Sequence, residues 1–288
     1  MAIYSKQELQ EQVEVINVVK ALLALTVLRL TITNRKLTEA TKILRRIEEA
    51  LGRVFEIHPG SEIDRLNRKT RKKKGAGKSL KKLMILISAN EKTYGDLIWR
   101  ICSYFISDLK ASGNDALVIG EVGKKYVSVE NIQSKIYYFD LDDYNPNPAV
   151  IHQIISVINK YDKVVVYHGQ NESLLKQIAT KSEVLLEIPE LAKPSKKYIF
   201  EPTPLEVLNF LNRQVVTNTF NQKVYSTEVA RLSARRWNWT KQQMARVELI
   251  EELYADYLKY KKQLLSKQQQ VNVSALRLSR EQHFIKKW

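Results

Sequence analysis

Counting alternately three and four residues from Leu9 passes through Gln12, Ile16, Val19, Leu23, Thr26, Leu30, Thr33, Leu37, Ala40, Leu44, Ile47, Leu51 and Val54. Every seventh residue from Leu9 to Leu51 is Leu or Ile. A seven-residue apolar period held over so many turns makes a helix coil left-handed around a partner. No proline interrupts Tyr4 to Phe55 and the first glycine is Gly52, so the spacing predicts one helix over that span. The last quarter of the chain repeats the theme. From Leu205 to Leu278 there is neither proline nor glycine, and a seam recurs at Ile250, Tyr257, Leu264, Val271 and Leu278, with Leu253, Tyr254 and Tyr260 beside it. A helix of that length would extend on the order of 110 Å, too far to be buried by one compact core. The simplest partner for each long helix is the other. A globular middle at one end requires them to pair antiparallel, with Phe55 and Leu205 near that end; the expected object is a rod with a knob at its foot.

Charge and composition narrow the class. Against 31 Asp and Glu stand 47 Lys and Arg, a formal net charge of +16 in 288 residues. Such a field draws nucleic acid, an anionic membrane surface or an acidic protein. The one cysteine, Cys102, can form no internal disulfide, which fits a reducing compartment. The first twelve residues carry acids and no apolar core, unlike a signal peptide. Residues 13–32 imitate a membrane span, but Glu14, Lys20 and Arg29 interrupt them, so they are expected to form a helix buried by protein.

The expected fold class is α+β: a long antiparallel coiled coil of the two terminal helices with a small central α/β (Rossmann-like) domain. Its parts are an N-terminal helix over 1–57, a basic linker over 58–82, an α/β foot over 83–203, the C-terminal helix over 204–273 and a basic tail over 274–288. Within the foot, LMILIS at 83–88, ALVIG at 116–120, KIYYFD at 135–140 and VVVYH at 164–168 read as strands. Tyr94–Leu109 and Pro148–Tyr161 read as helices. Alternating types imply a partly parallel sheet. Residues 174–188 are ambiguous between helix and strand, and YIFE at 198–201 reads as a last short strand. The linker contains KKKGAGKS, which imitates a phosphate-binding loop. It lacks the first glycine, where Lys72 stands, and it precedes a strand instead of following one, so a solvated basic loop is expected.

No constellation of acids, bases and nucleophiles emerges. The histidines are scattered. His168, at a strand end, has no cysteine, serine motif or paired acid beside it and reads as structural. Asp140, Asp142 and Asp143 lack the glycine turn and closing glutamate of a calcium loop and read as a solvated turn. Lys259, Lys261, Lys262, Lys267, Arg277, Arg280, Lys286 and Lys287 make the end of the rod basic. They suit phosphates or acidic protein loops, and the shortage of aromatic side chains on the same face weighs against nucleic acid.

The ordered set of residues resembles the gamma subunit of F-type ATP synthases. STEVARLSAR at 226–235 is similar to that family's C-terminal motif at Ser226, Ala230, Arg231 and Ala234, with Leu232 in place of methionine. Phe200, Glu201 and Pro202 resemble its aromatic-Glu-Pro approach, Lys262 and Gln263 its Arg-Gln pair, and Val15, Asn17, Lys20 and Ala24 its N-terminal helix. Ser88 and Gly95 remain of its first glycine-rich turn, and Gly120 and Gly123 match its second glycine pair; YDKVVVYH at 161–168 resembles a later strand. The resemblance implies a noncatalytic rotor shaft with no cofactor and no metal. Its partners would be three alpha and three beta subunits, the epsilon subunit and the c-subunit ring, in a proton- or sodium-coupled complex. That complex would hold the chain peripherally at the cytoplasmic face of the cell membrane, without nucleic acid. It implies hexamer contacts at Lys261, Lys262, Gln263 and Arg231, and c-ring contacts at Phe200 and Glu201. The degraded glycine turn and the sequence beyond Val273 depart from the family. The alternatives are the shaft of a related rotary ATPase working in hydrolysis, for example for motility, or a basic coiled-coil scaffold that binds nucleic acid.

Overall fold

The computed structural model describes residues 6–57, 81–173, 175–184, 201 and 203–285. The expected basic linker up to residue 80, most of the 198–201 segment with Phe200, and the phosphate-loop imitation lie outside these residues. By its contacts the chain divides into one unit of residues 26–238 and a second made of 1–25 and 239–288.

The larger unit is built on a five-stranded sheet: β1 (Lys82–Ile87), β2 (Asp115–Ile119), β3 (Ile136–Phe139), β4 (Lys163–Asn171) and β5 (Gln177–Val184). The strand order is β3-β2-β1-β4-β5. β1 pairs parallel with β2 and β4, and β2 parallel with β3, while β5 closes the edge antiparallel to β4. Strand side chains alternate between faces. Leu83, Ile85 and Ile87 thus enter one core and Met84 and Leu86 the other.

Over the Met84 face lie α2 (Leu97–Ser112), with Leu97, Ile101, Phe105 and Leu109 buried, and α3 (Glu121–Ser128). Over the Ile85 face lies α4 (Pro148–Ile158), which Asn147 caps by accepting a hydrogen bond from the Ala149 amide at 2.9 Å, with Pro148 in the first turn. The short α3 has no counterpart in the sequence reading: eight residues with three glycine or lysine interruptions show too little periodicity. The ambiguous 174–188 segment resolves as a strand over its described part.

Two long helices complete the chain, α1 (Lys6–Ile57) and α5 (Pro204–Ile285). Between Thr26 and Asn238 they run antiparallel. Leu51 packs with Val215 and Leu211, Gln222 Nε2 donates to Thr41 Oγ1 at 3.1 Å, and Leu30 packs with Val229 and Leu232. α5 also feeds both faces of the sheet, with Phe220 and Val224 in one core and Ala230 and Ala234 in the other. In the second unit Arg246 Nη1 donates to Gln12 Oε1 at 3.5 Å, again antiparallel.

Along α1 the residues at three-four spacing are the less exposed ones. Ile16, Thr26, Leu30, Thr33, Ala40 and Leu51 are buried, and Leu23, Leu37 and Leu44 half-buried; the side chain of Leu9 lies outside the described residues. On α5, Ile250, Leu253 and Tyr257 are half-buried, but Leu264 is 45% exposed and Val271 66% exposed. This corrects the expected seam at Leu264. Gln12 stands opposite Arg246, and no described residue of α1 covers Leu264.

The expectation of a 13–32 segment buried by protein also changes. Only the seam of this part of α1 is covered, and Val13, Val18, Leu25 and Leu28 are exposed. By length and composition alone, Gln10–Gly52 is long and apolar enough to cross a bilayer.

Candidate functional site at the mouth of the parallel sheet

In open α/β sheets, ligands bind outside the carboxyl ends of the strands, where strand order reverses. Here the chain proceeds from β1 outward to β2 and β3, then returns to place β4 on the other side of β1. The crevice so defined opens beyond Ser88. Ser88 Oγ donates to the Ile119 carbonyl at 2.6 Å and accepts from the Gly123 amide at 2.9 Å. A Cβ on Gly123 would stand 2.5 Å from Ser88 Oγ, and Gly120, at φ +94°, has Ala89 O 2.9 Å from where its own Cβ would be. Only glycine lets the first turn of α3 lie this close to β1.

Where a ligand would sit, α5 inserts Arg231. Its Nη1 donates to the Ser88 carbonyl and to Asp143 Oδ1, each at 2.7 Å, and its Nη2 to the Asp143 carbonyl at 3.3 Å. Both side chains are nearly sealed, at 6% and 4% exposed. Asp143 also accepts from the Asn90 amide at 3.0 Å, the Glu91 amide at 3.2 Å and Tyr94 Oη at 3.1 Å. A buried carboxylate needs its lone pairs met in this way, or the charge would not survive burial.

One turn on, Arg235 donates to Tyr144 Oη, Glu91 and Thr93, and its guanidinium lies 4.5 Å from the Tyr94 ring centre. Burial pushes the Glu91 carboxyl up, yet the Tyr144 hydroxyl and Arg235 outweigh it and hold it below the usual carboxylate range. Burial drives the Tyr94 phenol strongly up, so it stays protonated as a donor. From α1, Arg29 covers the Tyr144 ring at 4.1 Å. The loops after β1 and β3 are thereby tied to both long helices.

Chemically this site has nothing to react: its hydroxyls and carboxylates are consumed by internal partners, and its cleft is filled by the chain itself. Mechanically it is a clamp. Removing one member of a buried ion pair typically costs about 3–5 kcal/mol.

The structure redistributes the residues singled out in the sequence. Arg231, expected to face a surrounding hexamer, faces inward instead, because Asp143 and the Ser88 carbonyl take its charge. Asp143 is no solvated turn residue but the hub of the clamp, while Asp142 accepts from the Tyr144 and Asn145 amides and Asp140 from Asn90 Nδ2. Lys261, Lys262 and Gln263 are exposed on α5, and Glu201 is exposed. His168 is buried, with Nε2 2.8 Å from Ser182 Oγ; burial lowers its pKa to about 4, so it is a neutral core residue. Among the described residues, no group of His, Cys, Asp or Glu is placed to hold a metal. Sequence reasoning missed Glu91, Tyr94, Tyr144 and Arg235. The available signal was an arginine pair four residues apart, Arg231 and Arg235, within the otherwise small and apolar run around Ala230, Leu232 and Ala234.

These features define a class first: a protein whose α/β domain has its ligand crevice closed by a long helix paired antiparallel with another. A family model described as ATP synthase matches residues 6–264, and the chain belongs to that family, the gamma subunits of ATP synthase. Membership makes it the central shaft of that enzyme, a noncatalytic subunit of a membrane-associated complex.

No curated protein matches significantly. Among solved structures, the chain is similar to a central stalk/c-ring chain of Tetrahymena thermophila mitochondrial ATP synthase, at 15% identity and TM-score 0.42, covering 76% of this chain and 99% of that one. It is also similar to a rotor chain of Euglena gracilis mitochondrial ATP synthase, at 12% identity and TM-score 0.48, covering 91% and 100%. A chain from the OSCP/F1/c-ring structure of the same Euglena enzyme follows at 11% identity and TM-score 0.49, covering 94% of each.

Proposed function

We propose that this chain carries torque between a ring of c subunits and a hexamer of three alpha and three beta subunits, at the cytoplasmic face of the cell membrane. The observation that carries the reading is the clamp at Arg231 and Asp143. A shaft must transmit twist from its foot to its helices without slipping, and a buried ion pair between sheet loops and α5, bonded through both terminal guanidinium nitrogens, resists that slip better than apolar contact alone.

The foot takes the c ring through Phe200 and Glu201, with the epsilon subunit beside it. Lys261, Lys262 and Gln263, exposed on α5, are the hexamer contacts; Arg231 leaves that set because it is spent inside. Contacts that differ among three similar catalytic subunits bias their conformational equilibria.

Purification of the tagged chain from its own cells tests this. The expected result is co-purification of two larger subunits in a three-to-three-to-one assembly. Recovery of the chain alone at low salt, bound to DNA with a steep salt dependence, overturns it. Charge reversal at Lys261 and Lys262 should weaken the assembly without lowering the stability of the chain by itself.

A further inference from the structure

Within the helix pair of the larger unit, one buried carboxyl group has only one of its oxygens bonded. Glu228, on α5, is 4% exposed. Its Oε1 accepts from Thr33 Oγ1 of α1 at 2.8 Å, and its Oε2 is sealed from solvent with no hydrogen-bond partner among the described residues. The groups that face it offer little. From α1 come Thr33 and, more distantly, the half-buried Lys36. From its own helix comes Arg231, whose guanidinium is turned to Asp143, and from the loop after β3 comes Asp143 itself, a like charge. Leu30, Val229 and Leu232 form an apolar cluster on the same helix pair and offer no donor.

We infer that Glu228 is a proton-dependent clasp of the helix pair: with its carboxyl neutral, α1 seats against α5 at Thr33, and ionisation loosens the pair there by drawing water to the orphan oxygen. The proton comes from bulk water and returns to it. The reason is the asymmetry of burial. A neutral carboxyl with one unmet oxygen loses the equivalent of one hydrogen bond, whereas a carboxylate in the same place loses the solvation of a full charge. In agreement, burial moves this carboxyl up from its ordinary value, against the opposing pull of Thr33, Arg231 and Lys36. The folded pair therefore holds the proton more tightly than the unfolded chain. Its contribution is complete at pH below the unfolded value and is lost as pH rises through the folded one.

The clasp does not rest on the shaft reading; its failure would leave subunit co-purification untouched. The test uses the full-length chain, with glutamate side-chain carboxyls labelled with carbon-13 and followed by NMR through pH, beside thermal unfolding of the wild type and Glu228→Gln. The expected result is one glutamate resonance with a midpoint above the others, absent from Glu228→Gln. The melting temperature of Glu228→Gln should match the wild type near pH 4 and exceed it by about 2–4 °C near pH 8. Thr33→Val, which removes the donor favouring the ionised form, should push that midpoint higher still. A Glu228 resonance that titrates with the exposed glutamates, or a melting difference constant across pH, overturns the proposal.

Discussion

α5 passes through two environments. From Val215 to Arg235 it is gripped on several sides, by the seam of α1, both faces of the sheet and the loops that carry Asp143 and Glu91. From Tyr260 onward, every residue whose side chain is described is exposed. Apolar residues recur at coiled-coil spacing in both, yet only the first segment has something to bury them. The difference teaches that a seam is an offer of burial, and that stability comes from its acceptance. In isolation an uncovered helix draws little from propensity alone, so the exposed end of α5 needs a covering that the other described residues do not supply.

The comparison can be broken first at the clamp. Arg231→Ala leaves Asp143 buried and uncompensated and should cost about 3–5 kcal/mol, read as a large drop in the denaturation midpoint of the larger unit. Next, Leu30→Asp puts a charge into the seam against Val229 and Leu232. It should destabilise by about 3 kcal/mol or more and reduce the helical signal; an unchanged melt would refute the pairing. Acid probes the sheet. His168 is neutral at a pKa of about 4, against 6.5 in the unfolded chain. The unfolded state therefore binds the extra proton as pH falls through that window, and stability should drop by up to about 3 kcal/mol, a slope that His168→Gln removes. Gly123→Ala drives a methyl into Ser88 and should cost about 1–3 kcal/mol without touching the two long helices. The smallest effect sharpens the contrast most. Leu264→Asp, identical in chemistry to Leu30→Asp and also on a seam position, should change the stability of the isolated chain by less than about 0.5 kcal/mol.

Much of the fold was legible because periods are local. The steps of three and four on α1, the alternation in LMILIS, and the Asn-Pro start of α4 each state their element without reference to the rest of the chain. β5 was not legible, since an edge strand half open to solvent shows no clean alternation, and α3 was too short to show a period. The site was less legible than the fold. Arg231 was singled out from its motif, but its direction was misread, since whether a guanidinium points outward or inward depends on a carboxylate 88 residues away. Asp143 looked like one acid of three in a turn; only the arrival of Arg231, Tyr94 and two amides at the same point distinguishes it from Asp140 and Asp142.

The sequence by itself determined two very long helices, their antiparallel pairing, an α/β middle with a mostly parallel sheet, and the absence of a recognisable catalytic constellation. These follow from spacing, length and chain direction. Only the tertiary structure decided which seam residues are covered, which charges are spent inside, and that the crevice of the sheet is filled by the chain's own helix. Those depend on groups far apart in sequence meeting in space, where burial turns an ordinary charge into one that must be paired, as at Arg231, or left wanting, as at Glu228.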